Sequence, residues 1–563
     1  RAVVRKLTAG RAPVAAVRAF NVKSGRIRDL RAWTINPDGR EVRYGKDRVV
    51  ESALDSGAAY EEARMKRIVP GEEWQPGGVF AYEIIEEEQT VFTQYSHAFQ
   101  YQLPALVSRF ELRLPPGWEA RGQVFNSASD GYSNSGATHA WELRDLPWQE
   151  PEPSRTPWHQ LAPRLALTYF PSGGESGLHP MKDWRAVSGW LSALADRQAE
   201  VTPEIRAKAA QLTAGAATPL AQIAAIGAFV QQTHYISVQM NITRGGGYTP
   251  HRAADVLAKN YGDCKDKANL MKALLAAAGI ESHLVAIYSG AREFVRPEWP
   301  STLQFNHMII AVRVPEESKL AAVLNHATLG RLLFFDPTDP YTALGDLPDE
   351  EQGSHALVIA GDRGALVTVP RAPATANRAV SRTNAVIADD GTLNASVTRE
   401  YFGQTARDYR SMLARRDEAG VRRSFEFVLT RQIGGVSLDK LETKDDAGAG
   451  RLAIDLRFTA PQFGRILQNR LLLVTPGALL SGGSYSFPAG ERRHPVKLDA
   501  ERREDVIALQ VPAGFQVDEL PEPVVVESGL GTFRAQWKAG EGTVEMEQRS
   551  EEHTSELQSL TNL

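Results

Sequence analysis

YGDCKDKANLMKALLAAAG, Tyr261 to Gly279, contains the only cysteine among 563 residues, and its reading sets the rest of the chain in place. Asp263 is placed to cap a helix, and Asp266 three positions on gives a variant of the capping box. Apolar residues recur at Ala268, Met271, Leu274, Leu275 and Ala278, which is helical spacing, and Gly279 supplies a left-handed stop. Cys264 is then the first helical residue. Free backbone N–H groups and the positive end of the helix dipole favour a thiolate there, so a nucleophile is plausible. Lys265, Asp266 and Lys267 read as a solvated first turn.

A thiolate that does acyl chemistry needs a proton shuttle, and an imidazole needs a group to hold its tautomer. His307 opens HMIIAVRV and Asp336 closes LLFFD before Pro337, and both apolar runs read as buried strands. Strand ends can present side chains to a helix N-terminus from a rigid sheet. His234, His251 and His283 have no carboxylate at a strand end in register and read as structural.

At these positions the chain resembles the transglutaminase-like superfamily, through Gly262-Asp263-Cys264, Asn306-His307 and Asp336-Pro337-Thr338. The resemblance implies a central α+β papain-like core with Cys264 as nucleophile, His307 as general base and Asp336 as orienting carboxylate. Met308 departs from the Trp or Tyr that many members carry soon after the His. For the oxyanion, the Cys264 N–H is the natural first donor and Gln239, on the preceding short strand, is the candidate side-chain donor. Tyr261 is a candidate for lining the pocket. The function implied is thiol-dependent acyl transfer on protein or peptide amides, by hydrolysis or transamidation. The competing reading is a catalytically silent scaffold that binds through its flanking β domains.

The remaining chain reads as flanking modules. From Arg1 to Ser176, short alternating runs such as ALVSRFELRL (Ala105 to Leu114) lie between turn signals such as Pro37-Asp38-Gly39, which predicts an antiparallel β-sandwich. Trp33 to Tyr44 and Arg67 to Ile84 resemble the bacterial domain of unknown function that commonly precedes this core. Pro171 to Gly177 reads as a linker, and helices are predicted at Trp184–Arg197, Pro203–Leu212 and Leu220–Gln232, the last behind Thr218-Pro219. Thr249-Pro250 is expected to open a short helix that Asn260 closes. Residues 177–360 form the expected catalytic domain.

Residues 361–548 return to β with two helical stretches, Ala406–Asp417 and Val421–Gln432, as a C-terminal β-rich domain. Arg549 to Leu563, containing RSEEHTSELQS, resembles the translation of a sequencing-library adapter and is expected to lack a packed core, leaving the third domain truncated.

Composition narrows the classes further. Apolar content of 42%, charged content of 23% and a net charge of −4 are ordinary for several globular domains and give no electrostatic reason to expect nucleic acid. One cysteine excludes an internal disulfide framework, no CxxC or HExxH pattern offers a metal site, and no cofactor is required by the chemistry. No stretch has the length of a membrane helix. The chain starts without Met or a signal-like segment, and the resemblance implies an extracytoplasmic protein whose targeting segment lies outside this sequence.

Overall fold

The computed structural model describes residues 1–8, 14–54, 60–90, 92–101, 103–172, 181–239, 247–446, 450–468, 470–482, 492–494 and 496–552. The chain is multidomain and strand-rich, and the helix predicted around Cys264 is its central element. This helix runs Cys264–Ala277 with the full capping box: Asp263 accepts from the Asp266 N–H, and the Asp266 side chain accepts from the Asp263 N–H. Gly279 takes φ +76 and ends it. Its inner face buries Leu270, Met271, Leu274 and Leu275 completely, each burial stabilising by roughly 1.5–3 kcal/mol.

That face packs on a six-stranded antiparallel sheet in the order Val323–His326, Gly330–Phe335, His307–Arg313, Ser282–Ile287, His355–Ile359, Ala365–Thr368. The helix Pro219–Gln231 packs into the same core as the Cys264 helix, capped by Thr218 and started by Pro219 as expected. Helices also form at Trp184–Ala195 and Pro203–Thr213. The short helix before the cysteine is Ala253–Lys259, starting four residues after Thr249 and closed by Asn260 at φ +55.

Two departures concern the flanks. The first third folds around two cores rather than one. The first encloses Ala32, Ile68, Trp74 and Phe80; the second, formed by later strands, encloses Phe99, Trp141, Leu165 and Leu167. Each is a pair of small antiparallel sheets whose alternating strands have one inward face, so each pair closes its own interior. Most of the Pro171–Gly177 linker lies outside the described residues.

The C-terminal third forms one eight-stranded sheet, with helices Gly403–Ala414 and Glu418–Ile433 packed against it. Its strand Thr543–Glu552 pairs with Glu501–Gln510 and Gly531–Gly540. Arg549–Glu552 therefore have sheet partners, against the expectation that packing stops at Arg549. A backbone ladder accepts almost any side chain whose alternation matches the pleat, so unusual composition did not preclude it. Residues 553–563 lie outside the described residues. Among the described residues no helix is long and apolar enough to cross a membrane.

Candidate active site

The sheet register brings His307 and Asp336 together. Ile310 pairs with Phe335 on antiparallel neighbours, so the start of one strand lies beside the residues that follow the end of the other. His307 Nε2 is 3.1 Å from Asp336 Oδ2. Thr338 fixes the carboxylate with two bonds, its N–H to Oδ1 at 2.7 Å and its hydroxyl to Oδ2 at 3.0 Å. Met308, just past the His, is buried in the core beside the Cys264 helix.

The Cys264 sulfur lies beside the same imidazole and interacts with it. Burial alone would push the His307 pKa down. The Asp336 charge and hydrogen bond, with a smaller contribution from Cys264, hold it well above the usual histidine value. Asp336 shows the matching shift: burial pushes it up, and His307 and Thr338 bring it below the ordinary carboxylate value. An imidazolium flanked by a carboxylate and a sulfur is the arrangement these opposing shifts describe. Cys264 is half-buried.

Of the sequence candidates for the oxyanion and pocket, the backbone of Gln239 pairs with Glu61 in a two-residue parallel contact, and its side chain lies outside what is described. Tyr261 is 37% exposed and pairs its backbone with His234. The phenol that reaches the cysteine belongs to Tyr235, one residue further along this parallel pair and opposite Gly262. It interacts with both the sulfur and the backbone N–H of Cys264, and its pKa is raised by burial first and then by the Cys264 and Asp263 charges. The signal available in the sequence was the short apolar run His234 to Met240; what it lacked was the register that sets Tyr235 beside the nucleophile.

The first helical turn is a second correction. Lys265, Asp266 and Lys267 are 6%, 2% and 1% exposed, so this turn is buried rather than solvated. Lys265 donates to Asp263, and Lys267 donates to the Gln231 and Thr233 carbonyls at 3.2 and 2.8 Å. Burial brings the Lys267 pKa down to about 8. Asp266 also accepts from His251, through its N–H at 2.8 Å and Nδ1 at 2.9 Å, which ties the preceding loop to the helix start. These charges are absorbed in holding the N-terminus of the helix.

Both flanking regions help to wall the site. Phe92, from the second β unit, packs edge-on against Trp190 and Tyr248, whose cluster also contacts Cys264. On the His307 side, a cleft of about 470 Å³ is lined by Asn306, His307, Asp336 and Glu351 from the core and by Arg407 and Arg415 of the C-terminal region. Arg407 crosses that boundary to donate to Asp339 Oδ2 at 2.7 Å.

Residues 206–317, which contain Cys264 and His307, match the family model of the transglutaminase-like superfamily. The chain carries a transglutaminase-like core. Asp336 follows this matched stretch within the same sheet. Residues 9–149 and 470–552 match two domains of unknown function, DUF3857 and DUF3858. No curated protein matches the chain. Among solved structures, the chain is similar to a protein from Parabacteroides distasonis described as a "putative protease", at 14% identity and a TM-score of 0.57, over 96% of this chain and 86% of that one. This likeness extends the shared fold beyond the transglutaminase-like core to nearly the full length. A second structure, from Cytophaga hutchinsonii and described as a "putative cysteine protease", aligns over 44% of this chain and 73% of its own at 13% identity and a TM-score of 0.19.

Proposed function

We propose that this protein is a thiol-dependent acyl-transfer enzyme acting on protein or peptide amides, with Cys264 as nucleophile, His307 as acid and base, and Asp336 as the group that orients and charges the imidazole. The observation that carries the proposal is the position of His307 between the Cys264 sulfur and Asp336. The thiolate attacks the amide carbonyl and the carbon–oxygen π pair moves to oxygen. Cys264 N–H, with the Tyr235 hydroxyl as second donor, stabilises that oxyanion. Collapse breaks the C–N bond as imidazolium protonates the departing nitrogen, leaving a thioester and neutral imidazole. Water, or an amine, then attacks the thioester with His307 accepting its proton, which releases the acyl product and restores the thiolate–imidazolium pair.

Within this reading the substrate is a protein or peptide amide flanked by the walls of the β regions, and hydrolysis is our preferred outcome over crosslinking. Placement outside the cytoplasm belongs to the same proposal, and cell fractionation tests it. The central test is alkylation of Cys264 by iodoacetamide from pH 5 to 9. The proposal expects rapid labelling at pH 6 that His307→Ala slows by about 10-fold or more. Labelling with the rate and pH profile of a free thiol, unchanged by His307→Ala, would instead identify a silent scaffold.

A further inference from the structure

His307 Nε2 faces two carboxylates, and the acyl-transfer chemistry uses only one. Beyond Asp336 Oδ2 at 3.1 Å, Glu351 Oε1 lies 3.5 Å from the same nitrogen. Glu351 is 1% exposed, and its Oε2 is fully enclosed with no hydrogen-bond partner among the described residues. Its position is held by a tight turn in which its N–H donates to the Pro348 carbonyl at 2.9 Å. The next residue, Gln352, anchors that turn by donating to the Leu347 carbonyl at 2.7 Å and accepting from the Ala372 N–H at 2.8 Å. Burial first, and then the charge of Asp336, push the Glu351 pKa well above the usual carboxylate value, so without a cation the second carboxyl keeps its proton beside Asp336.

We propose that His307, Asp336 and Glu351 form a reversible site for a divalent cation, with Zn²⁺ the best-matched ion, and that its occupation holds the protein in a catalytically silent state. One ligand atom from each residue lies within 4.8 Å of the other two. A tetrahedral zinc ion with bonds of about 2.0–2.1 Å separates neighbouring ligands by about 3.3 Å. The contacts from Nε2, at 3.1 and 3.5 Å, bracket that spacing. One nitrogen and two carboxylates suit zinc better than calcium, which takes six to eight oxygens. The second oxygen of Glu351 would gain a role if the carboxylate chelates. All three residues line the 470 Å³ cleft, which supplies a path for the ion and room for a water as fourth ligand.

Thr338 is the supporting group, because its two bonds to Asp336 orient that carboxylate in either state. Binding takes the Nε2 lone pair and releases two protons, the one that Nε2 otherwise donates to Asp336 and the one that Glu351 otherwise holds. The metal-bound and active arrangements therefore exclude each other. The silencing rests on the acyl-transfer reading; the binding does not.

Calorimetric titration of ZnCl₂ into the full-length, chelator-stripped protein tests the site. Wild type and Cys264→Ala are expected to bind one ion per chain, with binding at least 10-fold weaker in Glu351→Gln and in His307→Ala. Zinc should also slow iodoacetamide labelling of wild type and not of Glu351→Gln. X-ray absorption at the zinc edge of the wild-type complex gives a measurement independent of variant folding, and should show nitrogen and oxygen ligands near 2.0 Å. A sulfur shell near 2.3 Å, loss of binding in Cys264→Ala, or undiminished binding in Glu351→Gln overturns the proposal. Zinc bound as expected to a protein whose thiol is inert would sustain the site and defeat the enzyme.

Discussion

His307 offers Nε2 to Asp336 at 3.1 Å, and the same side chain interacts with Cys264. The orientation is imposed from behind, because Asp336 is itself held by the N–H and hydroxyl of Thr338. Asp336→Asn removes the charge that raises His307 and lets the amide hold the wrong tautomer. Turnover should fall by about 10²–10⁴-fold while the fold persists, as checked by steady-state rates and circular dichroism on the same sample. A loss under threefold would mean that Asp336 does not act through the imidazole.

Tyr235 touches the sulfur and the backbone N–H of Cys264, where an oxyanion would form. Tyr235→Phe keeps the ring and removes the donor. We expect kcat to drop by about 10–10³-fold with KM changed little. An effect confined to KM would make Tyr235 a binding residue instead.

Gly262 is needed for its lack of a side chain. A Cβ there would lie 2.5 Å from the Asp266 Cβ and 3.2 Å from Asp266 Oδ2, inside the capping box that starts the Cys264 helix. Gly262→Ala should destabilise by about 1–3 kcal/mol, read as a lower thermal midpoint, and should slow Cys264 alkylation because the helix start moves. Unchanged stability and labelling together would show that the cap yields at no cost.

Asp349 sits where the core meets the C-terminal region, and burial, with the charges of Asp499 and Asp346, pushes its pKa up to about 7 against the pull of Arg292. In the unfolded chain the same carboxyl ionises near ~3.9. The folded state therefore holds the proton more tightly, and this contribution to stability is full below about pH 4 and is lost as pH rises towards 7. Asp349→Asn should remove that part of the pH dependence and raise stability at pH 8 by about 1–3 kcal/mol, a range below the full linkage value because the group is partly exposed. Thermal midpoints at pH 4.5, 6 and 8 decide it, and parallel curves for the two proteins would exclude Asp349 as the source.

The sequence by itself determined the elements whose causes lie within a few residues. The capping box at Asp263 and Asp266, the stop at Gly279, the Thr218-Pro219 helix start and the strands that begin at His307 and end before Asp336 were all legible, because each rests on local spacing and turn chemistry. Tertiary structure alone decided what those elements meet. It set Tyr235 rather than Tyr261 at the sulfur through a parallel register, and placed Glu351 on Nε2 through a turn 44 positions after His307. It also buried Lys265 and Lys267, which look solvated in sequence, because carboxylate and carbonyl acceptors from Asp263, Gln231 and Thr233 close over them. Packing also divided the first third into two cores for the same reason: alternation marks which face of a strand turns inward, while the partner that covers that face is chosen only when distant strands pack.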